Sequence, residues 1–278
     1  MKKFFCLMFV FLLACGVAAA EYEVEFSFET PVSVDLNGDG EIEEIRLQMI
    51  GTDEEASMML VLIGGDGGVN TFMTDVMYDC TGGAMDLNGD GSMEIYLSGD
   101  QFSDDYFTWC LRYTDEGLKI VSFPDFGRDS VTDGKSEFGY GRISDISKNA
   151  LTLTGSQDVL GTWSASRTLS LNDDHFEFSD DGLFETIIDF DDPYLWETRC
   201  LTLTKSLNVV LEDETSGTLE IGEKFVITKS DLQHVVYFVT QDGISGHFEI
   251  EPNEQDGWGS CIEGLAEYEY FEYLPYAD

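Results

Sequence analysis

Basic residues are scarce in this chain: 14 Lys and Arg stand against 55 Asp and Glu, giving a formal net charge of −41. A field of that sign repels nucleic acid and anionic membrane surfaces, so neither is an expected partner. Histidine is rarer still. His175, His234 and His247 fall in separate strand-like segments, with no HExxH or similar pairing. No Cys pair has the CxxC spacing of a zinc site. Phosphate-cradling motifs are missing too, because GGDGG at 64–68 is followed by neither Lys-Ser nor a helix. Ser245 in GISGH lacks the spacing of a nucleophile elbow. Acid doublets such as Asp173-Asp174, Asp180-Asp181 and Asp191-Asp192 could house a glycosidase pair. Among 55 acids such doublets are expected by chance. After the first twenty residues no apolar run reaches transmembrane length. With 43% hydrophobic and 13% aromatic residues the chain nevertheless has material for a core, which excludes wholesale disorder.

What is present, twice, is the hexapeptide DLNGDG, at 35–40 and at 86–91. Asp35, Asn37 and Asp39 place side-chain oxygens at alternate positions of a tight loop, and Asp86, Asn88 and Asp90 repeat the set. Hard oxygen donors at positions one, three and five suit Ca2+, which takes six to eight oxygens. An EF-hand would need a bidentate Glu at position twelve, where Arg46 and Leu97 stand instead. The residues that follow alternate with a period of two, as half-buried strands do: Ile45, Leu47 and Met49, then Met93, Ile95 and Leu97. Such a loop can close its site with position nine, which is Glu43 (or Glu44) in the first copy and Glu94 in the second. The main-chain carbonyls of Glu41 and Ser92 at position seven complete the candidate donors. The alternative is an Asx/Gly hairpin turn that binds nothing.

DLNGDG followed by EIEEIRL or SMEIYL resembles the calcium loops of FG-GAP and VCBS repeat proteins, the integrin-type β-propeller blades of many secreted bacterial proteins. In that pattern acidic or amide residues occupy positions one, three, five and nine, and a strand follows; here Glu replaces the commoner Asp at position nine. The resemblance implies an all-β fold. The offset between Asp35 and Asp86 is 51 residues, near the ~40–50 residues of a propeller blade. Strand-like segments recur at 58–63, 71–78, 106–113, 115–123, 150–155, 160–171 and 175–182, bounded by Gly, Asp and Asn turns, with no helical stretch. Residues 21–199 would supply three or four small blades, hence a small or incomplete propeller-like repeat domain, with a β-sandwich as the other candidate.

Residues 200–278 change character. LEIGEKFVIT (219–228) and VYFVTQDGISGHFEI (236–250), with a hairpin turn at Gln241-Asp242-Gly243, resemble a bacterial Src-homology-3-like barrel. Val235–Thr240 is apolar at nearly every position, which predicts a strand buried on both faces. Such barrels bind peptides or cell-wall material or act as spacers. In EYEYFEYLPYAD the expectation is an aromatic edge covering the barrel, with the acids facing water; the other reading is a sugar- or peptide-binding platform that includes Trp258.

Residues 1–20 read as a signal peptide: a positive start, the apolar core FFCLMFVFLLACGV and a small-residue cleavage site at Ala18-Ala19-Ala20. Leu12-Leu13-Ala14-Cys15 equally resembles a lipobox, which would make Cys15 a lipidation site. Losing Lys2 and Lys3 would take the net charge from −41 to −43. Export suits calcium, because millimolar extracellular levels fill weak sites. It also suits disulfides, and pairings Cys80–Cys110 and Cys200–Cys261 are the simplest of the three possible, with free buried thiols as the alternative. The expected function is an exported, non-catalytic calcium-binding interaction protein with an extracellular protein, peptide or glycan partner and no transmembrane span in the mature chain. The alternative is a secreted carbohydrate-active or cell-wall enzyme using a carboxylate pair.

Overall fold

The computed structural model describes residues 24–28, 30–51, 57–75, 78–100, 106–126, 135–179, 182–254 and 257–277. The signal-peptide segment and Cys15 lie outside the described residues. The protein is all-β, with several antiparallel sheets, none of which closes on itself. A single α-helix of four residues, α1 (Leu195–Thr198), is present among the described residues, alongside a short 3-10 turn at Glu267–Glu269. No helix among the described residues is long and apolar enough to cross a membrane.

Three four-stranded meanders follow one another. β1 (Val24–Phe26) precedes them and joins the edge of the second. The first comprises β2 (Val32–Val34), β3 (Glu43–Ile50), β4 (Ser57–Ile63) and β5 (Val69–Asp75), each paired to the next. The second comprises β6 (Tyr78–Met85), β7 (Glu94–Asp100), β8 (Tyr106–Thr114) and β9 (Gly117–Ile120). Short pieces β10 (Phe123–Pro124), β11 (Lys135–Ser136) and β12 (Gly139–Tyr140) lead on, with β12 added to β8. The third meander is β13 (Arg142–Ser147), β14 (Ala150–Asp158), β15 (Thr162–Asn172) and β16 (His175–Phe178). In the first two, a DLNGDG loop joins first strand to second. In the third, a tight turn at Lys148-Asn149 stands there, with Asn149 at φ 61°.

The meanders stack face to face. Ile45, Leu47, Leu60 and Leu62 of the first pack against Ile95, Leu97, Trp109 and Leu111 of the second. The other face of the second supplies Met85, Leu87 and Cys110 to a core shared with Leu151, Leu153, Leu169 and Leu171 of the third. β7 is therefore buried along both faces, not on one as its alternation suggests, because sheets cover it on both sides. β3 keeps its alternation as far as Leu47, with Arg46 and Gln48 facing water, but Met49, expected on the buried face, is exposed.

β17 (Phe184–Thr186) pairs with β15 on one side and β21 on the other, so hydrogen bonding continues from the third meander into the C-terminal strands. These are β18 (Leu201–Thr202), β19 (Leu207–Leu211), β20 (Ser216–Leu219), β21 (Lys224–Ser230), β22 (Val235–Thr240) and β23 (Ser245–Glu249). Their order is β21-β22-β23-β19-β20. The β22–β23 turn forms at the predicted place, with the Gly243 amide donating to Thr240 O at 2.9 Å and Gly243 at φ 82°. β22, however, buries only Val236, Phe238 and Thr240 fully. One core, built from Phe225, Phe238, Phe248 and Ile262, lies under this sheet, and Tyr270 and Phe271 complete it from the C-terminal segment.

The expected disulfides are not made: Cys80, Cys110, Cys200 and Cys261 are all free thiols. For the first pair the reason is topological. Cys80 on β6 and Cys110 on β8 are separated by β7, roughly two 4.8 Å strand spacings, and they enter different cores. Burial pushes the Cys80 thiol up to about 12 and raises Cys110 as well, so neither is poised to react. Non-reducing mass mapping is expected to recover no Cys80–Cys110 peptide; finding that bridge would contradict the strand order.

The β21–β22 connection rests on Asp231, whose Oδ1 accepts from the amides of Gln233, His234 and Val235 at 3.0, 2.7 and 2.9 Å. Burial alone would raise this carboxyl, but those amides and the His234 ring outweigh it and hold it below its ordinary 3.8. A depressed folded-state value means a stabilisation that is full above the unfolded value and lost as pH falls through the folded one. Asp231→Ala is expected to cost about 1–3 kcal/mol at pH 7. Thermal melts should show the gap between variant and parent closing as pH drops below about 4.

Candidate metal centre

Each DLNGDG loop folds around its own side chains, and the two copies share the same bonds. At position one, Asp35 Oδ1 and Oδ2 accept from the amides of Gly38 and Gly40 at 2.8 and 2.9 Å; Asp86 does the same for Gly89 and Gly91 at 2.7 and 2.9 Å. At position three, Asn37 Oδ1 accepts from the Asp39 amide at 3.1 Å and Asn88 Oδ1 from the Asp90 amide at 3.0 Å. Their Nδ2 groups donate to Asp39 Oδ2 and Asp90 Oδ2, both at 2.9 Å. At position five, Asp39 Oδ1 and Asp90 Oδ1 accept from the amides of Glu41 and Ser92 at 2.7 and 2.8 Å. The glycines at positions four and six, Gly38, Gly40, Gly89 and Gly91, all have φ between 74° and 92°, where a side chain is strained.

Position nine closes each loop. Glu43 Oε2 accepts from the Leu36 amide at 2.8 Å and Glu94 Oε2 from the Leu87 amide at 3.0 Å. Both carboxylates are buried, at 2% and 0% exposure. Between Glu43 and Glu44, the structure turns Glu43 into the loop, while Glu44 pairs with Arg46 on the outer face. β3 and β7 both begin at position nine, so neither copy carries an extra residue before its strand.

The loops are neighbours. Leu36 O accepts from the Met93 amide of the second loop at 2.7 Å, and a Cβ on Gly38 would lie 2.7 Å from Gly91 O. Leu87 O in turn accepts from the Asn149 amide of the third meander's turn at 2.6 Å. Each loop is thus hooked to the next meander through the carbonyl at position two.

Around this frame the copies differ. In the second, the Arg112 guanidinium meets Glu94: Nε donates to Oε1 at 2.9 Å and Nη2 pairs with the same oxygen. Nη2 also lies 3.9 Å from Asp90 Oδ2. Burial raises the Glu94 carboxyl above its ordinary value, with Arg112 and the Leu87 amide pulling the other way. Asp90 sits below its ordinary value, since the Ser92 amide, the Asn88 side chain and Arg112 outweigh burial. In the first copy the 64–68 turn and Tyr113 face the loop. Burial raises the Tyr113 phenol, and the charges of Glu43, Asp66 and Asp39 raise it further. Arg112, Tyr113 and Asp66 were not singled out by the loop motif, because strand pairing rather than sequence proximity brings them there. Arg112 lies 18 residues from Glu94 and faces it only through the β7–β8 register.

Among the described residues, no three His, Cys, Asp or Glu side chains converge as a metal-holding group on their own. The donor set of each loop also draws on an Asn side chain and a main-chain carbonyl. An acceptor oxygen engaged by a single amide keeps a second lone pair, whereas Asp86 Oδ1 accepts from both the Gly89 and Asp90 amides, at 2.7 and 3.1 Å. All are hard oxygen donors, which is the chemistry Ca2+ uses, so the residues present fit that ion.

Elsewhere no catalytic constellation forms among the described residues. His175 contacts Asp174 and Glu177, His234 contacts Asp231, and His247 lies tilted against the Tyr237 ring. A cleft of about 1100 Å³ runs along β19, β20 and β23 and carries Glu249, Glu251 and Glu263. Hydrogen bonds from Asn208 and Tyr270 hold the Glu263 carboxyl below its ordinary value, the opposite of what a glycosidase acid requires. At the C-terminus, Tyr270 and Phe271 cover the core as expected, and Trp258, Tyr268 and Tyr273 are exposed. Glu267 departs from the expectation that the acids face water: it is buried, accepting from the Ser260 amide at 2.7 Å and from Tyr276 OH at 2.6 Å.

The glycine contacts separate packing from backbone strain. Gly40→Ala meets no neighbouring atom, so it is expected to cost about 1 kcal/mol for its positive φ alone. Gly38→Ala carries the same strain and also collides with the Gly91 carbonyl, so its melting temperature should fall further. Equal shifts would show that the loops do not touch in solution.

No protein-family model matches the chain, and neither the curated proteins nor the solved structures include a significant match.

Proposed function

We propose that this chain is an exported, non-catalytic calcium-binding repeat protein acting as an interaction module at the cell envelope or outside the cell. The observation that carries this reading is the duplication of one loop in sequence and in bonding. Twelve corresponding donor–acceptor pairs, six per copy, recur 51 positions apart. Nothing about a generic turn requires a buried Glu at position nine, twice. In this reading each loop is a blade-type calcium loop, and the stacked meanders are blades of a small, open propeller-like assembly. Residues 200–278 are the Src-homology-3-like unit, which contributes the five-strand order β21-β22-β23-β19-β20.

Asp35, Asn37, Asp39 and Glu43, with the Glu41 carbonyl, would hold the first ion; Asp86, Asn88, Asp90 and Glu94, with the Ser92 carbonyl, would hold the second. Bound Ca2+ would supply positive charge to a chain of net charge −41 and lock the loops at their junction. The chain's own residues do the rest. The glycines let the backbone wrap, the buried Glu shuts the loop, and the carbonyl of Leu36 or Leu87 fastens it to the next meander. Rigid stacked sheets then present their outer faces and loops to a protein, peptide or glycan partner.

Calorimetric titration of the mature protein with Ca2+ tests this reading. Binding should be measurable in the wild type and reduced in both Asp39→Ala and Asp90→Ala, and a chelator should lower the melting temperature of the wild type by several degrees, as loss of a stabilising ligand does. Absence of heat and of any thermal shift in the wild type would sink it.

A further inference from the structure

Three acids are buried among the described residues: Glu43, Glu94 and Glu267. All three use one oxygen in the same way, with Oε2 accepting from the amide seven residues earlier, at Leu36, Leu87 and Ser260. They differ at the other oxygen. Glu94 Oε1 takes Nε and Nη2 of Arg112, and Glu267 Oε1 takes Tyr276 OH. Glu43 Oε1 accepts no hydrogen bond and no ion pair from the described residues, and it is not one of the buried side-chain oxygens left without a partner.

Strand register explains the difference. Arg112 stands directly opposite Glu94 across β7 and β8. In the first meander Glu44 stands opposite Ile63, and one further step of that register places Gly64 opposite Glu43. A glycine has no side chain to offer. A side chain there would also require its neighbours to shift, because a Cβ on Gly64 would lie 3.0 Å from Tyr113 OH and 3.1 Å from Asp66 Oδ1. Arg112 ends with Nη2 3.9 Å from Asp90, so it reaches two of the four side chains assigned to the second loop. No basic side chain pairs with Asp35, Asp39 or Glu43 among the described residues; the ion pairs nearest in sequence are Arg46–Glu44 and Lys119–Glu116.

From this contrast we propose that the two loops are unequal sites. The loop at 35–43 depends on Ca2+ for its positive charge. The loop at 86–94 carries a tethered cation, Arg112, that occupies the position-nine oxygen and makes calcium there weak and competitive. This inference rests on the calcium reading above and deepens it. The guanidinium is a fixed partner of the Glu94 carboxylate, and an incoming ion must share or displace it. The second loop sits in the central sheet, with cores on both faces, and is charge-balanced by its own chain. The first sits at the outer meander and takes its charge from solution.

The test uses the full mature chain and Ca2+ alone as ligand, read by calorimetry and by thermal shift. The wild type should bind in two phases whose dissociation constants differ by about tenfold or more. Asp39→Asn should remove the tighter phase and Asp90→Asn the weaker. Arg112→Met, which keeps the stem and removes the charge, should tighten the weaker phase by about tenfold, and should make the melting temperature more dependent on Ca2+ than in the wild type. If Arg112→Met fails to fold, the assignment of the two phases by the Asn variants decides the matter alone. Two equal wild-type sites, or loss of the tighter phase in Asp90→Asn, would overturn the inequality and leave the calcium reading standing. No binding to any of the proteins would remove both.

Discussion

The peptide unit at the second position of each loop holds the stacked half of this protein together. Leu36 and Leu87 each use all three of their parts. The amide is given to a buried Glu seven residues on, the carbonyl accepts an amide from the following meander, and the side chain enters a core at 0% and 2% exposure. Loop closure, meander stacking and core burial therefore depend on the same few atoms. A backbone polar group buried without a partner costs free energy comparable to a lost hydrogen bond, so none of the three links can be released without loosening the others.

That dependence explains why the acids of the loops are not simply a solvated surface. The side chains of Asp35, Asn37 and Asp39 are turned back onto their own backbone, and Glu43 is buried to 2% exposure. The negative charge is thereby concentrated where the first two meanders meet. In the second meander the chain offsets part of it with Arg112, one of only 14 basic residues. The first meander has Gly64 at the corresponding place. The two sheets also differ in surroundings: β7 is covered on both faces, while β3 leaves Arg46 and Gln48 in water. A central element that balances its own charge and a peripheral one that does not are the physical basis for treating the copies separately.

The C-terminal half solves its burial problem by continuity. β17 carries the sheet from β15 to β21, and the aromatic core of Phe225, Phe238 and Phe248 is capped by Phe271, itself joined by a bridge from Leu203. Glu267 closes the 260–267 hairpin with the same amide-to-Glu device as the loops, but takes a phenol as its second partner. Trp258 packs edge-on against that phenol, at 5.5 Å between centroids, while remaining largely in water.

Much of this was legible in the residues. Alternation located β3 and β7, strand-like runs between turn residues located β4, β8, β14 and β15, GGDGG and Gln241-Asp242-Gly243 marked turns, and DLNGDG with its following Glu marked loops that close on themselves. These features are local, written in side chains a few positions apart and in the backbone freedom of glycine. The disulfide pairing, the one-sided burial assigned to β7, the two-sided burial assigned to β22 and the solvent exposure of Glu267 were misread for one reason. Each depends on what lies across a sheet or on top of it. Cys80 and Cys110 look like partners along the chain and are kept apart by β7. Arg112 looks like one more strand residue and becomes the counter-charge of Glu94. By itself the sequence determined the strands, the turns and the self-closing loops, because short-range chemistry suffices for them. Only the tertiary structure decided which loop has its own cation, because pairing register between strands sets which side chain faces which, and no local pattern records it.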